Sequence, residues 1–156
     1  MGLDMYLTAK RYMSKHFDAA DEARQAAIAE QFPELKGRTD RWGDGSPVKE
    51  VSIEAAYWRK ANAIHKWFVD NVQDGEDNCA PYYVDREKLE ELRALCQQVL
   101  DFRHLATDKL PPQQGFFFGT AEVNDFYFQD LEDTIRMINE ALTLPPNWDF
   151  EYRASW

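Results

Sequence analysis

The chain has 156 residues, a formal net charge of −10 and a pI near 4.7. Its length suits one domain spanning 1–156, and five Trp, seven Tyr and ten Phe point to a packed core rather than a disordered chain. The acidic balance excludes nucleic-acid binding through a general basic surface, and no stretch approaches the about 20 apolar residues that span a membrane.

Leu3, Met5, Leu7 and Ala9 alternate with polar or amphipathic neighbours, which predicts a half-buried strand. Asp18 is placed to cap an Ala-rich helix running to about Phe32, with good propensity but little core contribution. Residues 33–47 read as a loop, carrying Gly37, Gly43 and the Asp44-Gly45 turn signal, long enough to be mobile or to cover a site. Val48, Val51 and Ile53 predict a short second strand, and a helix is expected over Tyr57–Val72.

The acidic loop Asp70–Asn78 fails the EF-hand pattern, since Val72 takes its third position and Pro81 its twelfth, so it reads as a solvated turn. Tyr82-Tyr83-Val84 is a short strand, and Asp85 caps a helix to about His104. That helix has a core stripe of Leu89, Leu92, Leu95, Cys96, Val99, Leu100 and Phe102. Gly115-Phe116-Phe117-Phe118-Gly119 is too short for a helix and reads as a strand buried on both faces. Asn124 or Asp125 caps a last helix whose core side is Tyr127, Leu131, Ile135, Ile138 and Leu142, ended by Pro145-Pro146. Trp148, Phe150, Tyr152, Ala154 and Trp156 mark a closing strand, expected beside the first. These elements predict an α+β fold: a mainly antiparallel sheet, about three larger helices on one face, and the Ala-rich helix peripheral.

The candidate site lies on the expected Tyr57–Val72 helix. Stepped at about 100° per residue, Tyr57, Ala61, Ile64, Phe68 and Val72 form one stripe, with His65 on one flank and Lys60 on the other. Lys60 can lay its stem along Trp67 and Ile64 while its head meets an anion, Asn62 can orient a ligand amide, and Trp58 can stack on a ring. His65 can donate to an anion, transfer a proton, or pair structurally at the core edge, and the structural role is the commoner one for a lone histidine. Arg59 steps to the outer face with Lys66, where Glu54 or Asp70 can pair with it. A second constellation, Gly115–Asp130, places a turn before a helix start, but Glu122, Asp125 and Asp130 would repel phosphate there.

No zinc spacing, P-loop or G-x-S-x-G elbow is present, so no metal, cofactor or catalytic residue is assigned. Cys96 falls on an apolar stripe as a small core residue, and Cys79 lies in a polar loop.

Met1–Leu7, Tyr57–Phe68, and Gly115–Gly119 with Tyr127 and Asp130–Thr134 resemble a family of small, mostly uncharacterised accessory proteins encoded by bacteriophages and prophages. The resemblance implies an accessory protein acting in a bacterial host cytoplasm, with anti-defence activity as an expectation, and carries no catalytic role. The first functional expectation is a non-enzymatic protein holding a small anionic or nucleotide-like ligand at Trp58, Lys60, Asn62 and His65. The rival is an acidic interaction module, nucleic-acid-mimicking or otherwise, that binds a basic host or phage protein through Asp70–Asp77 and Asp125–Asp133. An enzyme with His65 as base ranks third.

Overall fold

The computed structural model describes residues 2–43 and 45–156; Asp44, and with it the Asp44-Gly45 turn signal, lies outside the described residues, as does Met1. The fold is α+β, with a four-stranded antiparallel sheet and five helices among the described residues. The strands are β1 (Asp4–Tyr12), β2 (Glu50–Arg59), β3 (Tyr82–Val84) and β4 (Asp149–Ser155), in the order β2-β1-β4-β3. The helices are α1 (Asp21–Glu30), α2 (Asn62–Asn71), α3 (Arg86–Asp101), α4 (Ala106–Lys109) and α5 (Asp125–Ala141). Backbone contacts divide the chain into two compact units, residues 1–9 with 53–156, and residues 10–52.

The larger unit is built on alternation. Met5, Leu7 and Ala9 of β1, Ala56 and Trp58 of β2, and Phe150, Tyr152 and Ala154 of β4 are buried, whereas Tyr57, Arg59 and Arg153 are exposed. Strand side chains point to opposite faces in turn, so one face of the sheet joins the core. The first and last strands are neighbours, and β3 pairs with β4 in the register Tyr82↔Tyr152 and Val84↔Phe150. Ile64 and Phe68 of α2, Leu89, Leu92, Cys96 and Val99 of α3, and Leu131 and Ile138 of α5 belong to the same core cluster. Phe68 stacks on Tyr152 with ring centroids 3.9 Å apart. Each such side chain contributes about 1.5–3 kcal/mol relative to exposure.

Several expectations are corrected. Tyr57, Trp58 and Arg59 end β2 rather than begin a helix, and the helix starts at Asn62. The break is Lys60, whose φ of 59° is left-handed and ends the strand while its N–H still donates to the Leu3 carbonyl at 2.8 Å. Gly115–Gly119 is a turn, not a buried strand: Phe116 is 96% exposed, and only Phe118 of the three is buried. Phe102 is exposed because α3 stops at Asp101, short of His104, and a 3-10 turn over Arg103–Leu105 follows. Asp18 does not cap α1; Ala20 holds that position, and the Asp18 carboxylate instead accepts from the Ala20 N–H and from Arg24. Asn124 does cap α5, accepting from the Tyr127 N–H at 3.2 Å.

The smaller unit is joined by polar links. Asp21, on α1, accepts from Arg11 at 2.7 Å and Arg24 at 2.8 Å, and Arg24 also holds Asp18 at 2.6 Å. Gln25 donates to the carbonyls of Met13 and Val48 at 3.2 and 2.6 Å, tying α1 to the segments on either side of it. Within the 33–47 loop, Pro33–Leu35 form a 3-10 turn, and the Asp40 carboxylate accepts from the Trp42 and Gly43 N–H groups and from Lys49.

Candidate functional site

Two segments far apart in sequence, 59–64 and 119–131, meet around a cavity of about 270 Å³ in the larger unit. The first turn of α2 forms one wall, and the loop entering α5 and its first turns form the other. Of the four residues expected at the site, Lys60 and Asn62 line the cavity; Trp58 and His65 do not.

Lys60 is one of two exposed cations lining this cavity, the other being Arg59. The Lys60 stem runs between two glycines: a Cβ at Gly119 would come within 3.4 Å of the Lys60 Cβ, and one at Gly2 within 3.3 Å of its Cε. The Lys60 ammonium has no ion-pair partner among the described residues. A left-handed lysine costs about 1–2 kcal/mol that glycine would avoid. Strain of this kind concentrates at functional positions.

Behind Lys60, Ala61 occupies the cap position of α2 without a side-chain cap. The N–H groups of Ala63 and Ile64, residues on the cavity wall, find no acceptor among the described residues. An uncapped helix start favours negative charge.

Asn62 has a structural task. Its amide donates to the carbonyls of Phe118 and Thr120 at 2.9 and 2.8 Å, and its oxygen accepts from the Gln113 N–H at 3.1 Å. With three of its bonds already made, it pins the 113–120 loop onto the start of α2 rather than orienting a ligand.

Trp58 is a core residue. It is 4% exposed, its indole N–H donates to Thr134 Oγ1 at 2.8 Å, and its ring meets Phe68 edge-on. The expected stacking wall is therefore absent from this cavity.

His65 is wholly buried in a polar network away from the cavity. Its Nδ1 lies 2.8 Å from the Tyr152 hydroxyl and its Nε2 3.0 Å from Asp77 Oδ2, while Asp77 Oδ1 accepts from the Trp156 indole at 2.9 Å. With a proton on Nε2 alone every member is satisfied: Tyr152 donates to Nδ1, and Nε2–H donates to Asp77. Burial, reinforced by the Asp77 charge, pushes the Tyr152 phenol well above its ordinary value and keeps it a donor. Asp77 thus faces inward, which removes it from the acidic surface expected over Asp70–Asp77, and Asp70 is paired with Lys66 at 2.6 Å. Arg59 is exposed, with Asp4 rather than Glu54 or Asp70 as its nearest carboxylate, at 4.0 Å.

The wall residue that sequence reasoning treated only as repulsive charge is Asp130. Burial, and secondarily Asp133, pushes its carboxyl up to about 6. It sits three residues after Tyr127 and four before Thr134, both buried, so a carboxyl beside the core stripe was the available signal. The cavity therefore offers Lys60, Arg59 and free N–H groups on one side, and on the other the carboxyls of Glu122 and Asp130 with the Asn124 amide.

Among the described residues, no group of three or more His, Cys, Asp or Glu is placed to hold a metal ion, and no helix is long and apolar enough to cross a membrane. Cys79 and Cys96 are both free, and burial pushes the Cys96 thiol up to about 12. Comparison with protein-family models, with curated proteins and with solved structures found no match.

Proposed function

We propose that this chain is a non-enzymatic binding protein that holds a small ligand, through an anionic group, in the cavity between the starts of α2 and α5. The observation that carries the reading is Lys60: a strained, unpaired lysine cradled by two glycines at the mouth of a cavity whose α2 wall is uncapped. At about 270 Å³ the cavity falls just below the about 300–1,000 Å³ of drug-sized sites, which favours a compact ligand. Asp130 and Asn124 would accept from the ligand's own donors. The resemblance of three segments to phage and prophage accessory proteins supports placing this activity in a bacterial host cytoplasm, in counter-defence.

Native mass spectrometry of the protein purified from its own host tests the reading, with a retained small molecule expected. Lys60→Gly removes the charge while suiting the backbone, so affinity for that molecule should fall by about ten- to a hundred-fold, the cost of one charge-assisted hydrogen bond, with no loss of thermal stability. Unchanged affinity would sink the proposal.

One observation favours the rival acidic interaction module. Residues 10–52 carry eight Lys and Arg against eight Asp and Glu, so the whole net charge of −10 falls on the larger unit. A basic partner captured by that charge should be released by salt, which screens exposed charges over about 10 Å at 0.1 M.

A further inference from the structure

The smaller unit carries a second concavity, of about 810 Å³, bordered by Tyr12, His16, Thr39, Arg41, Trp42 and Lys49. Its lining combines exposed rings with basic side chains. Trp42 is 75% exposed and Tyr12 54%, and Tyr12 packs edge-on against Phe17, itself 84% exposed. Tyr12, Phe17 and Trp42 left in water mark a contact surface, since apolar area left exposed forfeits its burial energy.

The charges around these rings are cationic. The Arg41 guanidinium lies 4.7 Å from the Trp42 ring centroid, covering one face, and it has no carboxylate partner among the described residues. The exposure of Trp42 leaves its other face open. Asp40, the acid in the concavity, is largely covered and is engaged by Lys49 at 3.0 Å and by the Trp42 and Gly43 N–H groups at 2.9 and 3.1 Å. That pairing cancels its charge locally, and Lys49 keeps further N–H donors for a ligand. His16 adds a ring that can donate to an anion.

We propose that this concavity is a second binding site, for a nucleoside monophosphate, with the base stacked on Trp42 and the phosphate held by Arg41, Lys49 and His16. Aromatic rings provide stacking faces that tolerate any base, and a guanidinium fork matches phosphate geometry. The same chemistry occurs at the end of a nucleic-acid strand. Among the described residues the concavity's lining holds no basic side chain beyond Arg41, Lys49 and His16, so the added phosphates of a strand would find no partners there and the mononucleotide is the occupant.

Isothermal titration of the full chain with adenosine 5′-monophosphate tests the site, alongside adenosine, inorganic phosphate and a short oligothymidylate. Saturable binding of the monophosphate is expected, with adenosine and phosphate each at least about ten-fold weaker. Trp42→Ala and Arg41→Ala should each weaken the monophosphate by about ten-fold or more. Both side chains are exposed to solvent or stacked on an exposed ring, so the variants should fold. Lys60→Gly should leave this affinity unchanged, which separates the site from the α2–α5 cavity. No saturable binding at millimolar concentration, or binding indifferent to Trp42→Ala, overturns the proposal. Tighter binding of the oligonucleotide than of the monophosphate overturns it in favour of a strand.

Discussion

Each of the two units is held together internally by different physics. The larger buries carbon: Leu3, Met5, Leu7, Phe68, Leu89, Leu92, Leu131 and Phe150 are at most 1% exposed. In the smaller, Met13 is the one buried hydrophobic residue among those described, and the other buried side chains are Asp21 and Gln25. Its α1 is anchored by Arg11, Arg24 and amide bonds rather than by an apolar stripe. Their carboxyls differ accordingly. Asp40, hydrogen-bonded by Lys49, is held down to about 2, whereas Asp130, half-buried beside Asp133, is pushed up to about 6. Both line concavities, and the difference lies in their partners: Asp40 has Lys49 and backbone N–H groups, whereas no cation among the described residues favours the ionised form of Asp130.

The largest effect should come from the carbon core. Phe68→Ala removes the ring stacked on Tyr152 and should cost about 3–5 kcal/mol in chemical denaturation. A loss below about 1 kcal/mol would mean that the larger unit does not depend on this packing.

His65→Ala comes next. It leaves Tyr152 and Asp77 without their shared partner and opens a small cavity, so about 2–3 kcal/mol should be lost. Ligand binding in whatever remains folded should persist, because the ring does not reach the cavity. Loss of binding with stability intact would restore His65 as a contact.

Asp130→Asn sharpens the contrast in titration. The folded carboxyl binds its proton more tightly than the unfolded one, so its effect on stability is absent below about pH 4 and grows unfavourable as pH rises towards 6. Removing the charge should therefore stabilise the protein at pH 7.5, by about 1 kcal/mol after discounting for solvent screening at a part-exposed site, and change little at pH 4. Denaturation curves at the two pH values decide it.

The smallest effect belongs to the smaller unit and has the opposite sign. Asp40 is lowered to about 2 by Lys49, so its stabilisation is present above about pH 4 and is lost as pH falls towards 2; Asp18, lowered by Arg24, acts with the same sign. Amide-exchange protection in residues 10–52, taken against the intrinsic rate at each pH, should fall over that range while that of the Asp130 region does not. Uniform loss of protection along the chain would erase the distinction between the units.

Sequence by itself determined the elements whose periodicity is long enough to be unambiguous. The terminal strands alternate over several residues, the stripes Leu89–Val99 and Tyr127–Ile138 repeat at helical spacing, and Asn124 caps as its side chain allows. Tertiary structure decided the segment Tyr57–Ala61. A short apolar run fits either period, and pairing with β1 selected strand up to a left-handed Lys60. That choice moved Trp58 into the core and left Lys60 alone of the expected contacts as an exposed side chain on the cavity. The partners of His65 lie 12 and 87 residues away, and those of Asn62 more than fifty, at distances where no local pattern carries information. Buried polar groups must find partners, but which partners they find depends on how distant segments fold together, and so did the meeting of α2 and α5 that makes the cavity.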